Sequence, residues 1–85
     1  MASKFQTKII NQFKKDGWTV LNVMKLSDSG YPDILCMKFG EVDRWIECKE
    51  ANDTLKELQM YRIDELNRLG KNAYCIQDTK GIIYP

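Results

Sequence analysis

Histidine is absent from this 85-residue chain. Its absence removes imidazole-ligated zinc, His-based triads and histidine–metal nuclease centres. Acid–base chemistry is left to Asp, Glu, Lys, Tyr or metal-bound water. Cysteine is scarce: Cys36, Cys48 and Cys75 are the three, and none forms a C-x-x-C pair. The missing pair argues against zinc, and an odd count inside apolar runs argues against a disulfide framework and predicts reduced core thiols. No apolar run approaches the ~18 residues of a membrane span, and no signal peptide is visible, so an intracellular protein without a membrane contact is expected. An excess of one charge is missing too. Thirteen basic residues against 12 acidic ones give a net charge of +1. Bulk charge therefore supplies no attraction to nucleic acid, although near-neutrality can hide a basic surface around an acidic pocket.

What is present is one domain spanning residues 1–85, 44% hydrophobic and 29% charged, which is ordinary for a globular fold. So small a core stabilises a chain only marginally, which makes self-association or a partner a live option. No repeats, linkers or low-complexity segments interrupt it.

Hydrophobic period assigns the elements. Phe5, Ile9 and Phe13, with Ile10 alongside, form one apolar face and predict a helix over 3–16. Ser3 and Gln6 have capping-box spacing, and Gly17 suits the helix end. Residues 18–25 favour a strand by their β-branched and aromatic content. SDSG is turn chemistry. Pro32 opens a second strand, where its missing N–H does little harm, and the apolar run Ile34 to Phe39 predicts a central strand buried on both faces. Gly40-Glu41 marks a hairpin turn and 42–49 the return strand. Residues 51–54 offer several N-caps for a helix over about 54–69, with Leu55, Leu58, Leu66 and Leu69 on one face and Gly70 at its end. Residues 72–77 form another strand, and 81–84 add a short last one. The order is α-β-β-β-α-β, with one further β: an α/β fold.

The hairpin carries the chemistry. Asp33 opens it, and Glu47-Cys48-Lys49 closes it. Side chains alternate along a strand, so Glu47 and Lys49 point the same way. A two-residue turn at Gly40-Glu41 would pair Asp33 with Cys48 and put it on the opposite face. A three-residue connection or a bulge beside Gly40 would set Asp33 opposite Glu47 or Lys49. Either way the three groups sit at one end of adjacent strands. Two close carboxylates repel unless a cation lies between them. Mg2+ or Mn2+ suits such oxygen-rich, water-accessible sites, and the Cys48 backbone carbonyl is a further candidate ligand. Lys49 would stand beside a metal-bound water and a phosphate, orienting one and stabilising charge on the other. Gln59, four residues from both Leu55 and Ile63, faces inward on the second helix and needs a polar partner.

P-D, a strand's length, a turn and then hydrophobic-E-x-K is the signature of the PD-(D/E)xK nuclease superfamily. "SGYPDIL", "WIECKE" and "LKELQMYRIDELNRLGKNAYCI" together resemble its VRR-NUC family, especially small stand-alone phage-type members, over residues 17 to 77. The resemblance implies a restriction-endonuclease-like core, with a mixed central sheet flanked by helices. It implies that Asp33 and Glu47, helped by the Cys48 carbonyl, hold Mg2+ or Mn2+, that Lys49 positions the attacking water, and that Gln59 points to the active site. The substrate implied is DNA, branched or otherwise structured, as for Holliday-junction resolvases, which work as dimers. A homodimer is therefore expected, in the cytoplasm or in a host cell's cytoplasm if phage-encoded. Many relatives carry a first-helix glutamate that reaches the metal. Here Gln6 and Gln12 stand in that helix, and Gln6 is the candidate substitute ligand, with capping as its competing role. Lys25 is the first choice for a phosphate contact, with Ser29, Gly30 and Tyr31 beside it as further DNA contacts; packing is the default role for Tyr31. Trp18, Trp45, Tyr61 and Tyr74 are expected in the core or a dimer contact. The rival expectation is a DNA-binding module of the same fold with weak or no catalysis, dependent on a partner.

Overall fold

The computed structural model describes residues 3–23 and 28–85. Lys25 lies outside the described residues. Helix α1 (Lys4–Lys15) begins at Ser3, whose hydroxyl accepts the Gln6 N–H at 3.0 Å. Strands β1 (Thr19–Asn22), β2 (Ile34–Met37) and β3 (Arg44–Lys49) follow, then α2 (Glu57–Arg68), β4 (Asn72–Gln77) and β5 (Gly81–Tyr84). The strands form one sheet in sequence order. Every neighbouring pair is antiparallel except β3 and β4, which run parallel with α2 as the crossover. A parallel return needs such a crossover, whereas antiparallel neighbours need only a turn. The sheet is thus mixed, as expected.

Strand alternation sends two sets of side chains to two helices. Ile34, Cys36 and Ile46 pack under α1 with Phe5, Ile9, Ile10 and Trp18, and Val20, Cys48, Tyr74 and Ile76 join them. The opposite face presents Trp45, Ala73 and Cys75 to Ile63 and Leu66 of α2, with Tyr31, Leu55 and Tyr84 around them. Burial pushes the three thiols up, Cys36 to about 11 and Cys48 and Cys75 to about 12, so they stay protonated.

Three sequence expectations shift. The apolar run through Phe39 is not a doubly buried strand: β2 stops at Met37, and Phe39 is 96% exposed in the connection 38–43. Helix α2 starts at Glu57 rather than 54, with Lys56 at its N-cap. Its buried residues are Ile63 and Leu66, whereas Leu58 and Leu69 are exposed: the stripe that meets the sheet runs through Gln59, Ile63 and Leu66. The aromatics expected in the core or a dimer contact divide: Trp18 is buried, Trp45 and Tyr74 pack on the two cores, and Tyr61 is exposed, outside both cores.

Candidate active site

The register of the β2–β3 hairpin decides the site. Ile34 faces Ile46 and Cys36 faces Arg44. One residue outward, Asp33 therefore stands opposite Glu47, on the α2 face of the sheet. The plain two-residue turn is excluded. Residues 38–43 connect the strands, with a turn in which Lys38 accepts the Glu41 N–H at 3.0 Å and Gly40 takes a φ of +80°. That left-handed conformation is open to glycine at no steric cost.

Asp33 is fixed where β2 pairing ends. Its Oδ2 accepts the Cys48 N–H at 3.0 Å. A residue's N–H and C=O point to the same side of a strand, so the Cys48 carbonyl also points toward Asp33. Continuing the register puts Pro32 opposite Cys48. Proline has no N–H to donate, so β2 offers that carbonyl no ladder partner. The proline of the P-D pair thus leaves the carbonyl beside the two carboxylates without a bond to β2.

Glu47 is 3% exposed and Lys49 6%. The Lys49 ammonium lies 3.7 Å from Glu47 Oε2, and Gln59 Nε2 donates to the same oxygen at 3.4 Å. Glu47 Oε1 is buried and has no hydrogen-bond partner. Burial first, then the Asp33 carboxylate, by its charge and by a hydrogen bond it accepts from a protonated Glu47, push the Glu47 pKa up from 4.5 to about 8, against the pull of Lys49. A buried carboxylate oxygen left without a donor is a strong departure from normal satisfaction. It fits a divalent cation, which would take that oxygen, Asp33 and the Cys48 carbonyl as ligands. Among the described residues no group of three or more His, Cys, Asp or Glu side chains is placed to hold a metal. Two carboxylates and a carbonyl would leave several positions to water, as Mg2+ prefers.

Gln59 serves two elements at once. Its Oε1 accepts the Lys56 N–H at 3.0 Å, closing the first turn of α2, while its Nε2 reaches Glu47. The inward orientation expected from spacing holds, and Glu47 is the partner it required.

Gln6 is not gathered here. Its Nε2 donates to Asn22 Oδ1 at 3.4 Å. Asn22 pairs with Ile34, whose side chain is in the α1 cluster, so Gln6 contacts the sheet face away from Asp33 and Glu47. Tyr31 is committed to packing. Its hydroxyl donates to Glu65 Oε1 at 2.8 Å, and the Arg62 guanidinium carbon lies 4.6 Å from its ring centre. Arg62 Nε also donates to the Ser29 carbonyl at 3.0 Å. Gly30 has a structural reason: a Cβ there would come within 2.6 Å of Leu58 Cγ, and its φ is +88°. Ser29, Gly30 and Tyr31 therefore clamp the approach to Asp33 onto α2.

Sequence reasoning missed Gln77, Asp53 and Arg62. Gln77 shares the parity of Ala73 and Cys75 on β4, and that period could have marked it as a buried amide. Its Nε2 contacts the carbonyls of Glu50, Ala51 and Asp53 at 2.9, 3.3 and 2.7 Å.

This arrangement of helices and strands recurs in solved structures. A domain described as VRR_NUC superposes with a TM-score of 0.74 and 22% identity, over 85% of this chain and 78% of that one. Hjc, a Holliday junction resolvase of the archaeal hyperthermophile Archaeoglobus fulgidus, gives 0.67 and 20%, over 89% of this chain and 67% of that one. This chain shares the fold of that VRR_NUC domain and of that resolvase. No protein family matches its sequence in a family scan, and no curated protein matches it either. The restriction-endonuclease-like core that the resemblance implies is thus borne out, and the short last strand expected at 81–84 is β5. No described helix is long and apolar enough to cross a membrane.

Proposed function

We propose that this protein is a Mg2+- or Mn2+-dependent endonuclease that hydrolyses DNA phosphodiester bonds, selectively in branched DNA such as Holliday junctions, and that it acts as a homodimer. One observation carries the reading: a buried, unpartnered Glu47 oxygen beside Asp33, with the Lys49 ammonium 3.7 Å from the same carboxylate. Metal bound there would offset the two negative charges, polarise a phosphodiester and acidify a bound water. The chain's own groups do the rest. The Cys48 N–H fixes Asp33, and Gln59 fixes Glu47. Lys49 brings a cation to the phosphate, where it stabilises the charge that grows as water attacks.

Preference for branched DNA follows the likeness to a protein described as a Holliday junction resolvase. Self-association is supported by a small core and by Leu21 and Met37, exposed on the part of the sheet that α2 leaves open. DNA as substrate accords with an intracellular location.

The decisive experiment incubates the protein with labelled four-way junction, flap, nicked and plain duplex DNA, in Mg2+, in Mn2+ and in chelator. Cutting of the junction in metal alone, lost in Glu47→Ala and Lys49→Ala, is the expected result. Cutting that survives chelator or the Lys49 change refutes the mechanism. A monomer in size-exclusion with light scattering at micromolar concentration refutes the dimer. A second reading, a DNA-binding module without efficient catalysis, is favoured by the first helix, which has no acidic residue in its first turn and holds Gln6 against Asn22. Binding without cutting in every metal would establish it.

A further inference from the structure

The turn after β3 is built around Lys49. Glu50, Ala51 and Asp53 give three backbone carbonyls to one side-chain amide, Gln77 Nε2. Gln77 itself is 5% exposed and sits beside Lys49 in the parallel register of β3 and β4. The Asp53 N–H closes the turn on the Glu50 carbonyl at 3.0 Å. Asp53 Oδ1 accepts the Thr54 N–H at 2.8 Å, which leaves Oδ2 for the Lys49 ammonium at 3.6 Å. Lys49 is thus held between two carboxylates, Glu47 inside and Asp53 outside.

A single amide spent on three main-chain carbonyls is more than packing requires. It fixes a short polar turn, and that turn places Asp53 against Lys49. Glu47 is the carboxylate that metal would claim. With Glu47 neutralised from that side, its attraction for Lys49 falls, and a flexible four-carbon side chain with no second anchor would wander. Asp53 stays available because its other oxygen is already bonded.

We propose that Gln77 and Asp53 are positioning residues for Lys49, with Gln77 fixing the 50–53 turn and Asp53 keeping the ammonium at the site when the Glu47 carboxylate is otherwise engaged. Neither touches the substrate. The inference rests on the nuclease reading for its kinetic consequence but not for its structural one, so two arms separate them.

In the metal-free arm, thermal unfolding is measured for Asp53→Asn, Lys49→Met and the double variant. Asp53 is half exposed, so Asp53→Asn should fold, with a midpoint lower by about 2–4 °C. On the Lys49→Met background the same change should move it by less than about 1 °C. An equal drop in both backgrounds overturns the proposal whatever the protein cuts.

In the kinetic arm, junction DNA and Mg2+ are used. Asp53→Asn should lower kcat about tenfold with KM and the half-saturating Mg2+ unchanged, and Asp53→Glu should recover part of it. Gln77→Leu should show the same kcat loss, with little added when combined with Asp53→Asn. A loss that lies in KM or Mg2+ dependence, or no loss, overturns the positioning role. A wild-type protein that cuts no DNA in any metal, with the unfolding cycle still coupled, sinks the nuclease reading and leaves the Gln77–Asp53–Lys49 chain standing as structure.

Discussion

Glu47→Gln should make the metal-free protein more stable while destroying its function, and the gain should depend on pH. Glu47 is buried, its Oε1 has no donor, and its pKa is pushed from 4.5 to about 8. A carboxyl whose pKa is higher in the folded than the unfolded chain binds its proton more tightly when folded. Its contribution to stability is fully present below about pH 4.5 and is lost as pH rises toward 8. The gap of about 3.5 pH units, at ~1.4 kcal/mol each, sets a ceiling of ~5 kcal/mol on that loss. Relaxation and water entry trim such penalties. We expect Glu47→Gln to exceed wild type by about 2–4 kcal/mol at pH 9 and by nearly nothing at pH 4. The glutamine is isosteric, can still accept from Gln59 and Lys49, and can donate to Asp33. Urea unfolding of both proteins from pH 4 to pH 9, without metal, gives the difference directly. Other titrating groups, such as Asp53 and Glu65 with their lowered pKa values, cancel in that difference. A gap that is constant with pH, or a variant less stable than wild type at pH 9, would refute the account of Glu47 as a strained, metal-awaiting carboxylate.

The remaining predictions rest on the same geometry. Mg2+ or Mn2+ should raise the melting temperature, and more so at pH 8 than at pH 5, because metal competes with the Glu47 proton; differential scanning fluorimetry with and without chelator reads this, and equal shifts at both pH values would contradict it. Gly30→Ala should cost about 2–3 kcal/mol in urea unfolding, since a left-handed backbone and a 2.6 Å approach to Leu58 both oppose a Cβ; a loss under about 0.5 kcal/mol would show that α2 yields easily. Gln59→Leu should lose about 1 kcal/mol through its capping bond and, separately, weaken metal affinity by freeing Glu47; isothermal titration with Mn2+ giving wild-type affinity would disprove the second part.

Local pattern carried much of the fold into view. The stripe Phe5–Ile9–Ile10 and the apolar strands named each element, because helix and strand periods are properties of short stretches. Boundaries set by competition were not visible. Residues 51–54 look like N-caps, but Asp53 is drawn to Lys49, Gln77 holds the backbone of the turn, and the helix waits until Glu57. Phe39 reads as core and is solvent-exposed, because burial depends on which helix covers which part of the sheet. Gln6 had two readings by spacing, ligand or cap, and its amide takes neither: it reaches Asn22 across the sheet, while only its backbone N–H joins the Ser3 cap.

The sequence by itself determined the parts of the site: Asp33 behind a proline, Glu47 and Lys49 two apart on one strand face, and Gln59 on the inward stripe of a helix. Those follow from covalent order and local period. Only the tertiary structure decided that Asp33 faces Glu47, since a one-residue change in the hairpin connection would flip Asp33 to the other face. It alone revealed the empty-handed Oε1 of Glu47 and the Gln77 amide that sets Asp53 against Lys49. Burial and hydrogen-bond satisfaction are sums over residues distant in the chain, and no short stretch of sequence contains them.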